Sequence, residues 1–137
     1  MRFLATFLIA AALAACTSTR PEPGKIVLSN ATGAVLKSMA VGEARKEGDK
    51  SPLRLGRIAP AFPGRNFVFV RKEGADRLPK QAAVTWQLPS GAIRTVKVQL
   101  DDVLKQATGA PDEALFFELR PDGRVVVFLG RVPPQRP

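Results

Sequence analysis

Cys16 is the strongest nucleophile the chain contains, and the composition holds nothing to activate it: His and Tyr are absent and there is no second Cys. Histidine-based triads, imidazole metal ligands, thiolate–imidazolium pairs and an intrachain disulfide are therefore excluded. Oxygen nucleophiles remain. Ser29, Ser38, Ser51 and Ser90 coexist with eight lysines, so a Ser–Lys arrangement is formally open. The adjacent pair Lys37 and Ser38 lies in a stretch with strand character, where neighbours point to opposite faces, and this argues against a dyad. Asp101 and Asp102 form a carboxylate pair that could serve acid–base or metal chemistry. They stand directly ahead of Val103 and Leu104, however, where an N-cap and a negative first turn give them a local use. No phosphate-cradling glycine loop, EF-hand ligand pattern or redox pair occurs. These residues predict a non-enzyme with no catalytic residue, no metal and no cofactor.

The setting of Cys16 assigns that thiol another chemistry. Arg2 is followed by an apolar run over residues 3–13, broken only by Thr6, and then by Leu13, Ala14, Ala15 and Cys16. As a helix the run of about 11 residues is roughly 16 Å long, against a hydrocarbon core of about 30 Å, so it is too short to span. It reads as an export signal, and small-residue endings of this kind also fit an ordinary secretory signal. A lone exposed thiol on an exported domain risks intermolecular disulfides, which favours a reading in which the sulfur is consumed. The segment resembles the signal of bacterial lipoproteins. That resemblance implies cleavage between Ala15 and Cys16, a diacylglyceryl thioether on Cys16 and, with Thr17 rather than Asp in the next place, sorting to the outer membrane at its periplasmic face.

Charge narrows the partners. The chain carries a formal net charge of +9, or +8 once Arg2 is removed (20 Lys+Arg against 12 Asp+Glu). Inside a cell a pI near 10.6 would point to nucleic acid. Export removes that partner and leaves anionic envelope components: phospholipid headgroups, lipopolysaccharide phosphates, peptidoglycan carboxylates or an acidic protein surface. Generic basicity competes with this reading, since no run of five like charges occurs.

The rest of the chain must position whatever site exists. Residues 16–24 combine the lipidated Cys with a polar, proline-punctuated tether that reaches roughly 25 Å at about 3.1 Å per residue. Residues 25–29 and 34–41 read as two strands joined by a turn at Asn30, Ala31, Thr32 and Gly33. Residues 42–52 read as a solvated loop and 53–58 as a short strand. The continuous apolar run Phe67, Val68, Phe69, Val70 has the look of an inner strand buried on both faces. Strict alternation over 82–88 and 95–100 predicts a hairpin with one core face and one wet face. Its three-residue loop, Pro89, Ser90 and Gly91, sets Arg94 across from Trp86. Either the guanidinium stacks on the indole or a bulge near Gly91 turns Ile93 inward, and the bulge is the favoured solution. A short helix follows Asp101 and Asp102. A second hairpin, 114–120 with 124–130, turns at Pro121, Asp122 and Gly123. It places Leu115, Phe117, Leu119, Val125, Val127 and Leu129 on one face. Phe116, Val126 and Phe128 on the other face imply a cover or a partner. Residues 132–137 form a Pro-rich tail.

These elements predict one all-β domain over residues 25–131: an immunoglobulin-like or transthyretin-like β-sandwich of seven or eight short antiparallel strands with one short helix. A small open barrel is the alternative. The pattern is also similar to small proteobacterial lipoproteins of uncharacterised function, on Pro63-Gly64 before an apolar strand and Val84-Thr85-Trp86 before a glycine turn; the resemblance covers less than half of the chain and implies a fold and no activity. The expected function is a structural or interaction module, anchored to the membrane by its lipid and binding an envelope protein or anionic envelope component. An inhibitor or immunity-type lipoprotein that blocks an envelope-acting enzyme is the alternative. Changing Cys16 to Ala should abolish incorporation of labelled palmitate and leave an uncleaved precursor; undiminished labelling would refute lipidation at this residue.

Overall fold

The computed structural model describes residues 20–44 and 53–133. The signal over residues 1–15, Cys16, Ser51 and the last residues of the tail lie outside them. The strands are β1 (Lys25–Asn30), β2 (Ser38–Glu43), β3 (Arg54–Ile58), β4 (Asn66–Val70), β5 (Gln81–Gln87), β6 (Ile93–Gln99), β7 (Glu113–Leu119) and β8 (Val125–Arg131), with a one-turn helix α1 (Asp101–Leu104) between β6 and β7. Two four-stranded sheets form, in the orders β4-β1-β7-β8 and β3-β2-β5-β6.

Period-two patterning makes this an all-β sandwich. Ile26 and Leu28 of β1 and Leu115, Phe117 and Leu119 of β7 project from the first sheet onto Met39, Val41, Ala82, Val84 and Trp86 of the second, and all are buried. Removing a side chain of this size from water contributes about 1.5–3 kcal/mol. The two hairpins turn as the sequence predicts. Gly91 (φ 95°) and Gly123 (φ 83°) take the left-handed position that closes their three-residue loops, because only glycine enters that region without a Cβ penalty. The immunoglobulin order would keep the first, second, fourth and fifth strands in one sheet. Here β2 and β5 lie in the other sheet from β1 and β4, which leaves the transthyretin-like alternative of the two.

Several local expectations are corrected. The two strands joined by the turn at Asn30 are not neighbours: β1 and β2 belong to opposite sheets. The reason is Asn30, whose side chain is fully buried. Its amide nitrogen donates to the carbonyls of Ala34 (2.8 Å) and Ala61 (2.9 Å), while its oxygen accepts from the Thr32 N–H (3.0 Å) and the Thr32 hydroxyl (2.7 Å). Every donor and acceptor of the amide is used, and the turn so fixed carries the chain over the top of the sandwich rather than back beside β1. With β2 gone, β7 takes the place next to β1 and runs parallel to it from Lys25↔Ala114 to Asn30↔Leu119. This one pairing departs from the antiparallel pattern of the others.

The Phe67–Val70 run is not an inner strand. β4 is an edge strand, paired only with β1, and Val70 is 74% exposed. Its apolarity on both faces has another cause: Phe67 and Phe69 pack into the core, whereas Val68 lies outside, opposite Val27. Neither Asp101 nor Asp102 caps α1. Leu100 occupies the N-cap with no side-chain hydrogen bond, and both carboxylates lie in the first turn, where they complement the helix dipole. The expected tether is also shorter. From Arg20 to Gly24 the chain is fastened to the domain: Glu22 accepts from the Leu78 N–H (3.0 Å) and pairs with Arg71 (3.4 Å), Arg77 donates to the Arg20 carbonyl (2.9 Å), and Pro23 is buried.

Replacing Asn30 by Ala removes one of the two donors to the buried Ala61 carbonyl and the acceptor of the Thr32 N–H and hydroxyl. Urea unfolding should show a loss of about 2–4 kcal/mol, against about 1 kcal/mol for Thr32→Val. Equal, small losses in both variants would contradict the organising role given to Asn30.

Candidate functional site

At the pole where β1, β5 and β7 end, the sandwich is left open. Leu36, Trp86, Leu88 and Leu119 form an apolar floor, with Thr32, Arg94, Arg120 and Asp122 around the rim, enclosing a groove of about 460 Å³. That volume lies within the range of small-ligand and side-chain pockets, about 300–1,000 Å³. Each wall is held by backbone. Leu36 and Ala61 exchange two hydrogen bonds of 3.0 Å, which pins the crossover loop after Asn30. The Asn30 amide braces both sides of that bridge. On the far wall the Ala31 N–H donates to the Leu119 carbonyl (2.8 Å).

Trp86, the only Trp in the chain, is 6% exposed and opposes Arg94 across β5 and β6. This is the juxtaposition the hairpin loop predicts, but the favoured bulge does not form. The ladder is unbroken from Gln81↔Gln99 to Gln87↔Ile93, and Ile93 stays outside at 64% exposure. The irregularity is absorbed within the loop, where Gly91 donates to the Leu88 carbonyl and Leu88 to that of Ala92, each at 2.9 Å. The cation–π contact found among the described residues is instead Arg65 over Phe62, at 5.7 Å. Arg94 is exposed at the groove's rim, and among the described residues no carboxylate pairs with it. Arg120 pairs with Glu118 at 3.3 Å. The groove thus offers an apolar seat beside an available guanidinium, an arrangement suited to an apolar side chain followed by a carboxylate.

The remaining candidate residues are scattered. Ser29 faces Asn66 and Glu118 on the first sheet, Ser38 opposes Gln87 on the second, and Ser90 lies in the β5–β6 loop. Asp102 pairs with Lys105 at 3.6 Å on the surface. Among the described residues no cluster of three or more Asp, Glu, His or Cys side chains is placed to hold a metal. Two carboxylates without a sequence signature are structural: Glu22, already described, and Glu113. Glu113 is buried and accepts from the N–H groups of Thr108 (3.0 Å) and Gly109 (3.1 Å) and from the Thr108 hydroxyl (3.0 Å). Both close the pole opposite the groove.

No protein-family model, curated protein or solved structure matches the chain. Among the described residues no helix is long and apolar enough to cross a membrane.

One rim residue carries a pH signature. The Arg124 N–H donates to Asp122 at 3.0 Å and the Arg124 guanidinium binds the same carboxylate. These contacts, the backbone bond first, hold Asp122 below its ordinary value of 3.8. A depressed folded-state pKa contributes stability that is complete above the ordinary value and is lost as pH falls through the folded one. The Gly123 and Arg124 amide resonances should therefore titrate below pH 3.8, and Asp122→Asn should flatten that response. A midpoint at or above the ordinary value would show that the pairing does not persist in solution.

Proposed function

We propose that the chain is a lipoprotein held at the periplasmic face of the bacterial outer membrane through Cys16, and that its domain is a non-catalytic interaction module whose groove seats a segment of an envelope partner. The observation that carries the reading is the groove itself: four apolar side chains from three separate segments converge beside Arg94 at one end of the sandwich. The N-terminal segment is fastened at the opposite end, around Leu78, Arg71 and Gly109. An anchor on Cys16 would thus leave the groove pointing away from its attachment. The formal charge of the chain favours a partner with acidic groups.

The inhibitor or immunity-type reading keeps support from a different feature. Val35 and Phe62 flank the Leu36↔Ala61 bridge, each is 44% exposed, and Arg65 covers the Phe62 ring. An exposed aromatic beside an arginine is the composition of a binding anchor.

Crosslinking and pull-down of the lipidated protein from envelope fractions, across a salt series, separates the two. If the groove is the site, Arg94→Glu should lower capture at least tenfold and Phe62→Ala should leave it unchanged. Capture should also weaken between low salt and 0.15 M, where screening shortens to about 8 Å. Loss with Phe62→Ala alone, at an affinity indifferent to salt, would favour the inhibitor. Recovery of no partner under any condition would overturn the module reading.

A further inference from the structure

The outer face of the second sheet carries cations and, among the described residues, no outward-facing carboxylate. Two transverse register rows cross its four strands: Arg57, Ala40, Thr85 and Thr95, then Arg54, Gly42, Ala83 and Lys97. The middle of each row is small, and cations stand at the edges. Arg54, Arg57 and Lys97 are all exposed, and none pairs with a carboxylate among the described residues. The only acidic residue in these four strands, Glu43, falls in the inward-facing row with Ala82. Thr85 and Thr95 share a hydroxyl–hydroxyl hydrogen bond of 3.1 Å, so even the polar centre lies flat. At one end of the same face, Ile93 stands 64% exposed. Three strand spacings of about 4.8 Å put the Arg54/Arg57 edge roughly 14 Å from the Lys97 edge.

We infer that this face docks on an anionic phospholipid surface, with Arg54, Arg57 and Lys97 among the headgroups and Ile93 at their boundary. A small-centred face with cations at its margins and, among the described residues, no outward-facing carboxylate complements an extended negative plane; a hollow of about 270 Å³ beside Gly42, Arg54 and Ala83 lies within it, and it carries none of the aromatic anchors that a protein partner would use. The inference rests on the proposed anchor at Cys16, and the docked N-terminal segment strengthens it. Because Arg20 is already fastened to the fold, only three residues lie between it and Cys16, and the four steps reach about 14 Å at most at about 3.6 Å per residue. The domain is thereby confined to the zone where headgroup charge is felt, and three basic side chains bias it toward the docked state by on the order of a hundredfold.

The test is trace acetylation of the lysines, read by mass spectrometry on the full lipidated chain in vesicles of phosphatidylglycerol and phosphatidylethanolamine. Phosphatidylcholine vesicles serve as the neutral reference. Lys97 should react at least tenfold more slowly on the anionic vesicles, while Lys25, on the outer face of the first sheet, should hold its rate. Arg54→Glu with Arg57→Glu, both at exposed positions, should restore the reactivity of Lys97. Equal slowing of Lys97 and Lys25, no slowing of either, or protection that survives the double reversal would each overturn the inference. The same mass spectra report whether Cys16 carries lipid. If it does not, the anchor reading fails by itself, and coupling Cys16 to a maleimide lipid allows the face to be read in the same way.

Discussion

The buried amide of Asn30 is the interaction on which the rest of the sandwich depends. A strand that ends in a turn ordinarily returns beside itself, and the alternation of apolar residues on either side of residues 30–33 is compatible with that outcome. What prevents it is that all four hydrogen-bonding sites of one fully buried side chain are satisfied only when the following loop crosses to the second sheet and meets Ala61. Leaving such a group unpaired costs more than an ordinary hydrogen bond gains, so the crossover is specified sharply. The parallel β1–β7 pairing follows from it, because the place beside β1 is left for a strand that arrives from the other end.

The two poles of the sandwich are finished by opposite means. At the N-terminal pole, carboxylates close the structure from within: Glu22 binds the Leu78 N–H and two arginines, and Glu113 binds the loop at Thr108 and Gly109. Glu22 thereby satisfies the N–H of the buried Leu78, and Glu113 holds the exposed loop at Thr108 and Gly109 against the fold. At the Asn30 pole the crossover loop holds the walls apart, and the core is reached through the groove above Trp86. A ligand-accessible opening at one end is thus a consequence of how the chain changes sheets.

The two outer faces differ as well. Across the first sheet, Val68, Val27, Phe116 and Phe128 form a continuous apolar row in register, in which the two phenylalanine rings stack at 4.9 Å. Their mutual packing buries Val27 completely and leaves Phe128 half in water. The Phe116 ring also lies over Gly130, where a Cβ would approach it to 2.7 Å. The second sheet carries small and polar residues in the corresponding rows. The faces are therefore distinct surfaces, one aromatic and self-covering, the other flat and cationic.

Much of this was legible in the sequence, because the signals involved are local. Period-two alternation in β5 and β6, the left-handed glycines of the two three-residue loops, and the inward row of Leu115, Phe117 and Leu119 depend on residues a few positions apart. So does the opposition of Arg94 to Trp86, which loop length alone dictates. Which strands would neighbour one another was not legible: a continuous apolar run such as Phe67–Val70 looks the same in a central strand and in an edge strand whose outer side chain lies against Val27. Nor could the groove be read, since Leu36, the Trp86/Leu88 pair and Leu119 are far apart along the chain and each has the ordinary character of a core residue. The sequence by itself determined the strands, the tight turns and the period that divides inside from outside. The tertiary structure alone decided their order, through non-local partners: the Ala61 carbonyl that the buried Asn30 amide binds and the Leu78 N–H that Glu22 accepts.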